Sequence, residues 1–211
     1  MSIDLDLRTF YDIVASNRKF KPIIDSLYGL RPLRPASLFE MLVTAITEQQ
    51  ISLRLAYLIR DKMAALFGDE LEDTLVFPDE ITLAKATMRD LLRCGLSHRK
   101  SEYIRDLAKM VTSHRLDLES LKQTPDDDAC DKLTQIRGIG PWSAEYVLVR
   151  GLGRPDRVPV EDIGIRDVVG KYLGKGHRVE PNEVLRFLRP FAPFKGLAAF
   201  YLLAYDRLSR C

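Results

Sequence analysis

Three small groups of residues have the types and spacing to do chemistry. Gly138-Ile139-Gly140 sets two glycines a residue apart, directly ahead of Pro141, which suits the first position of a helix. Such a turn exposes backbone N–H groups beside a helix N-terminus, an arrangement that takes a phosphate oxygen. Glycine is needed there for positive φ and for close approach of the phosphate, while Ile139 anchors the turn in the core. Trp142 and Tyr146 lie one helical turn apart, so their rings share a side. That side is either core or a face on which an electron-poor ring stacks. Asp162 precedes the apolar positions Ile165, Val168, Val169 and Tyr172, which reads as a helix N-cap. A carboxylate fixed in that way can also stabilise positive charge developing on a reacting group, or orient an attacking water. The two roles are compatible.

The elements that must position these residues are helical. Thr124 is expected to cap, and Pro125 to start, an acidic-fronted helix running to about Gln135. After the glycine turn, Pro141 restarts a helix that Gly151 stops. Upstream, Leu7, Phe10, Tyr11 and Val14 share a face, and Ile23, Ile24 and Leu27 follow. Arg31-Pro32-Leu33-Arg34-Pro35 is a stiff connector. Ser37 and Glu40 form a capping box ahead of Phe39, Leu42, Val43 and Ile46 at core-facing spacing. A second stripe (Ile51, Leu55, Leu58, Ile59, Met63, Leu66) runs to Gly68, and Thr47 to Gln50 interrupt the two as a polar turn. One helix is expected over 81–93 and another from Ser97 through Val111. The latter has a basic first turn, in which Arg99 and Lys100 either run out to solvent or meet a phosphate. Arg150, Arg154 and Arg157 are open to the same two readings, and His98 reads as a surface residue. Helices follow over about 163–173, 181–188 and 196–208. The expected class is all-α, with about ten helices and 157–160 as the one extended piece.

The segment Leu133 to Ala144 resembles the helix-hairpin-helix of DNA-binding proteins. Asp162 stands twenty residues after Trp142, in Val158-Pro159-Val160-Glu161-Asp162. With that interval the chain resembles the helix-hairpin-helix (HhH-GPD) DNA glycosylases, most closely the 3-methyladenine glycosylase II type. The likeness extends upstream to Phe39 through Ser52 and downstream to Arg189-Pro190-Phe191 and Phe200-Tyr201. It implies a single glycosylase domain over 1–211, with subdomains of roughly 36–125 and 1–35 with 126–211 flanking a cleft. It also implies excision of alkylated purines from double-stranded DNA by base flipping, in base excision repair. Asp162 would be the catalytic aspartate, with Glu161 a structural neighbour. Trp142 and Tyr146 would stack the extruded base. Arg137, Gly138, Ile139, Gly140 and Ser143 would hold the DNA, with Gln49 and Gln50 in the turn that enters the minor groove. Family members of this pattern usually have Gly where Glu48 stands and often an apolar residue at Gln50. Relatives with lyase activity place a Lys where Trp142 stands, so the chemistry is expected to be monofunctional. Related hairpins hold Na+ or K+ on backbone carbonyls, here those of Thr134, Ile136 and Ile139. No other cofactor is implied. The alternatives are a glycosylase for hypoxanthine, uracil or a mismatched base, and a hairpin module that binds DNA without catalysis.

Composition agrees with a folded domain and adds limits. With 32 basic and 30 acidic residues the net charge is only +2, so a DNA-binding face must come from segregated charge. Cys94, Cys130 and Cys211 are too widely spaced for a disulfide framework, and Cys211 alone cannot build the four-cysteine iron–sulfur cluster of some relatives. No leader or membrane-length apolar run stands out, so a cytoplasmic protein (in the nucleoid if prokaryotic) with no membrane partner is expected. A monomer is also expected.

Overall fold

The computed structural model describes residues 6–71 and 74–209. The chain is all-α in class, with twelve α-helices among the described residues and a single two-residue antiparallel strand pair, Glu70–Leu71 with Thr74–Leu75. None of these helices is long and apolar enough to cross a membrane. Packing divides the chain into two compact units, 35–147 and 1–34 with 148–211. The division falls at 147/148 rather than at 125/126. Two sets of contacts bind the glycine turn into the first unit: Gln49 bonds to Gly138 and Ser143, and Arg137 pairs with Glu102 and Asp106.

The 35–147 unit is built on α3 (Leu38–Glu48), which is buried from Leu38 to Thr47 except at Glu40. Ser37 caps it by accepting from the Glu40 N–H at 3.0 Å. Glu40 does not close the box on Ser37. Its carboxylate takes the Ala36 N–H at 2.9 Å and pairs with Arg60 at 2.8 Å. In α4 (Leu53–Phe67) the buried face is Ala56, Ile59 and Met63. Leu55, Leu58 and Leu66, expected in the core, are 43–51% exposed. The helix is turned so that its small Ala56 meets the interior, which sends the larger leucines outward. The single helix expected over 81–93 is two, α5 (Glu80–Lys85) and α6 (Met88–Arg93). Ala86 is extended at ψ 138°, and the Thr87 hydroxyl caps the second piece by accepting from the Asp90 N–H. Next come α7 (His98–Thr112), capped by Ser97, and α8 (Asp126–Thr134). Pro125, not Thr124, occupies the cap position of α8, because the Thr124 hydroxyl donates back to the Ser120 carbonyl at 2.9 Å. α9 (Pro141–Arg150) then carries the chain across the 147/148 division.

In the other unit, α1 (Leu7–Ala15) and α2 (Lys21–Ser26) pack with α10 (Ile163–Tyr172), α11 (Pro181–Leu188) and α12 (Lys195–Leu208). Phe10, Phe20, Val169, Phe191 and Tyr201 lie at its centre, each no more than 1% exposed. Burial pushes the Tyr201 phenol well up, and its hydroxyl donates to the Leu30 carbonyl at 2.7 Å. Tyr11 lies against it, hydroxyl to hydroxyl at 3.0 Å, and accepts from the Gly29 N–H. That chain of bonds fixes the start of the 31–35 connector, where Arg150 donates twice to the Leu33 carbonyl at 2.9 and 3.3 Å.

Candidate active site

The hairpin turn follows from its sequence. α8 ends at Thr134, and Ile136 and Ile139 plug the turn into the interior at 4% exposure each. Gly138 takes φ +93°, and a Cβ there would lie 2.4 Å from the Tyr103 ring, so glycine is obligatory. Gly140 differs. Its φ lies outside the left-handed region, and a Cβ would find nothing within 4 Å. The Ile139 N–H closes the turn on the Ile136 carbonyl at 2.9 Å, and the first bond inside α9 is Ala144 N–H to Gly140 O. The amides of Trp142 and Ser143 precede that bond, at the positive end of the helix dipole. An anion at this end would pass Gly140 without meeting a side chain.

Trp142 and Tyr146 stand half-buried on α9, stacked with ring centroids 5.2 Å apart and planes 16° apart. They are therefore not core residues. Ser143, the next residue round the helix, is 2% exposed and accepts from the Gln49 amide at 2.9 Å. Its side chain faces inward, so any DNA contact it makes is through the backbone. Arg137 is likewise engaged. It pairs with Glu102 and Asp106 at 2.9 Å each, the Asp106 contact first raising its already high pKa, and lies 5.2 Å over the Tyr103 ring. Its charge is matched by those two carboxylates.

The polar turn after α3 is a braced structure. Gln49 ends the helix, and its side-chain amide donates to the Gly138 carbonyl at 2.8 Å and to Ser143. Gln50 is exposed and takes φ +54°, which a side chain rarely adopts. Lys100 is half-buried and turns inward rather than running out to solvent. Its ammonium donates to the Thr47 and Gln49 carbonyls at 2.9 and 2.7 Å, and burial lowers its pKa. The negative partner that the basic first turn of α7 required is the C-terminal end of α3. Sequence offered that turn as the signal but not its target. Arg99 donates to the Tyr103 hydroxyl at 3.1 Å.

In the other unit Asp162 is the N-cap of α10, its Oδ1 accepting from the Ile165 N–H at 2.9 Å. It is half-buried, and Gly164 keeps the space beside it clear: a Cβ there would lie 3.1 Å from Oδ1. Glu161 stands exposed, 4.0 Å from the Arg166 guanidinium. Among the described residues no group of three or more His, Cys, Asp or Glu is placed to hold a metal ion. Cys211 lies outside the described residues. The carbonyls of Thr134, Ile136 and Ile139 are neutral, hard oxygen donors, a set suited to a monovalent cation, and the Ile136 oxygen keeps one lone pair after the Ile139 bond.

A model of the HhH-GPD superfamily base excision DNA repair protein family matches residues 43–193. The chain is 33% identical over 204 residues to a DNA-3-methyladenine glycosylase of Bacillus subtilis, covering 95% of this chain and 67% of that protein. Other curated relatives are matched over 50% and 58% of their length, so the chain spans about half to two thirds of the relatives it resembles. Among solved structures, a 3-methyladenine DNA glycosylase from Archaeoglobus fulgidus aligns with a TM-score of 0.84 at 32% identity, over 95% of this chain and 69% of that one. MBOgg1 in complex with a low-affinity DNA ligand aligns with the same TM-score at 26% identity, over 98% and 72%.

Proposed function

As the chain belongs to the HhH-GPD superfamily of base excision DNA repair proteins, we propose that it is a monofunctional DNA glycosylase that removes alkylated purines, foremost 3-methyladenine and 7-methylguanine, from double-stranded DNA. The observation that carries this reading is the Trp142–Tyr146 stack, which begins two residues after the glycine turn. The hairpin amides hold a backbone phosphate, the turn at Gln49 and Gln50 enters the minor groove, and the target base swings out against the stacked rings. Purines methylated at N3 or N7 carry positive charge, which the ring faces attract. The base leaves with the electron pair of the C–N bond and becomes neutral, so no acid is needed to protonate it. Positive charge grows on the sugar, where the Asp162 carboxylate stabilises it and orients the water whose oxygen bonds to C1′ and whose proton passes to the carboxylate and on to solvent. The products are the free base and an abasic site. With Trp142 in the position of the lyase lysine, no imine forms. A Na+ or K+ ion on the Thr134, Ile136 and Ile139 carbonyls would stiffen the hairpin, and the protein acts as a monomer.

The test is a panel of duplexes, each with one defined lesion, in single-turnover excision by wild type and Trp142→Ala, divided by the spontaneous loss of the same base. Cationic purines are expected to lead hypoxanthine and uracil, and Trp142→Ala is expected to erase that lead. Faster excision of neutral bases would overturn the alkylpurine reading. Binding without excision of any base would leave a DNA-binding module.

A further inference from the structure

The loop that follows α3 is held with more apparatus than a surface turn requires. A helix C-terminus leaves orphan carbonyls that water or a left-handed glycine ordinarily satisfies. Here two of them, on Thr47 and Gln49, are taken by one ammonium arriving from α7, at 2.9 and 2.7 Å. The left-handed position is given to Gln50, at φ +54°, where a side chain is strained. On its other side the loop is tied to the hairpin, because the Gln49 amide spans the Gly138 carbonyl and the Ser143 hydroxyl. A strained, exposed residue persists where its surroundings over-determine it. Burial lowers the Lys100 pKa, so the contact is made against the cost of stripping water from the ammonium.

We propose that Lys100 is a positioning residue for base extrusion: its ammonium clamps the end of α3, and with Gln49 it locks the Gln50 loop to the phosphate-holding hairpin. This deepens the reading above and rests on it. Grip on the backbone and entry of Gln50 into the duplex then become one rigid event. Lys100 itself touches neither base nor phosphate. Without the clamp, Gln50 is free to relax from its left-handed conformation, while the hairpin amides still hold DNA.

The test uses the full-length protein as Lys100→Met, Lys100→Arg, Gln50→Ala and the Lys100→Met/Gln50→Ala pair, each first checked for cooperative melting. The probes are an undamaged duplex and one with a stable abasic site beside 2-aminopurine, whose fluorescence rises when stacking is broken. Lys100→Met is expected to hold the undamaged duplex within about twofold of wild type, as its phosphate contacts are intact. It should lose most of the fluorescence rise, about fivefold or more, and the paired variant should be no worse than Gln50→Ala alone, since coupled residues are not additive. Lys100→Arg, which keeps a cation at the clamp, should recover at least half of the signal. Parallel loss of both bindings, or losses by Lys100→Met and Gln50→Ala that multiply, would overturn the proposal. If Lys100→Met does not fold, Lys100→Gln carries the same cycle with Gln50→Ala. The fluorescence readout needs no excision, so a protein that removes no base defeats the proposed function while this test still reports on the clamp.

Discussion

Gly138 and Gly140 stand one residue apart, and the structure gives them different reasons to be glycine. At Gly138 the reason lies inside the protein: φ is +93°, and a Cβ would sit 2.4, 2.5 and 2.9 Å from three atoms of Tyr103. Gly138→Ala should cost about 1–2 kcal/mol for the left-handed backbone and about 1–3 kcal/mol for overpacking the ring. The total of about 2–5 kcal/mol corresponds to a fall in Tm of about 4–20 °C for a chain of this size. At Gly140 nothing in the protein objects, since no atom lies within 4 Å of the added Cβ. Gly140→Val should therefore melt within about 0.5 kcal/mol of wild type. If a phosphate oxygen lies against that backbone, the branched side chain displaces it. Loss of a hydrogen bond to a charged group, about 1.5–3 kcal/mol, weakens binding roughly ten- to a hundredfold. Calorimetric melting reads the first effect, and anisotropy titration of an undamaged duplex at one fixed salt concentration reads the second. Gly140→Val that melts normally and binds duplex as tightly as wild type would refute the hairpin as the anchor. Gly140→Val that melts as low as Gly138→Ala would refute the assignment of its glycine to the ligand.

Asp162→Asn keeps the cap geometry and removes the anion, so duplex binding should persist while single-turnover excision falls about 10²–10³-fold; excision at the wild-type rate would reduce Asp162 to a helix cap. Borohydride added during turnover should trap no protein–DNA adduct, because the burial-softened lysine, Lys100, already gives its ammonium to two carbonyls. An adduct that Lys100→Arg abolishes would overturn both the monofunctional chemistry and the clamp. Burial pushes the Tyr172 phenol up to about 12 from its ordinary 10.0, so the stability it contributes is complete below about pH 10 and is lost as pH rises through about 12. Its buried hydroxyl has no hydrogen-bond partner among the described residues, so Tyr172→Phe should be neutral or stabilising at neutral pH and should flatten that alkaline decline in urea melts.

Local signals in the sequence were legible where local chemistry decides the structure. Pro181 to Leu188 is helical as expected, Ser97 caps α7, and Asp162 caps α10, each through contacts within three or four residues. The break at Ala86-Thr87 escaped because a threonine inside an apolar-periodic run reads as a surface residue until it is seen to cap. The core face of α4 escaped because Leu55, Leu58 and Leu66 outweigh Ala56 in any hydrophobic pattern, while packing there favours the smaller side chain. At the site, the demand of Gly138 for positive φ was legible. The partners of Arg137 and Lys100 were not, since they lie 31 to 53 residues away along the chain.

The unit that carries Asp162 is assembled from both ends of the chain, 1–34 with 148–211, whereas 35–147 is contiguous. During synthesis the contiguous unit can close on itself as soon as it has emerged. The early segment cannot complete its core: Phe10, Val14, Phe20 and Ile23 share one cluster with Val169, Phe191 and Tyr201, which are made much later. At ordinary elongation rates that interval lasts roughly ten to forty seconds, with four large apolar side chains awaiting partners. Helices α1 and α2 are thus the part of the described chain that waits longest for its partners during synthesis. The same four side chains are at most 2% exposed in the finished unit, so polar replacements would destabilise the fold. Cover supplied from outside during synthesis, by a co-expressed chaperone, should raise the yield of soluble protein instead.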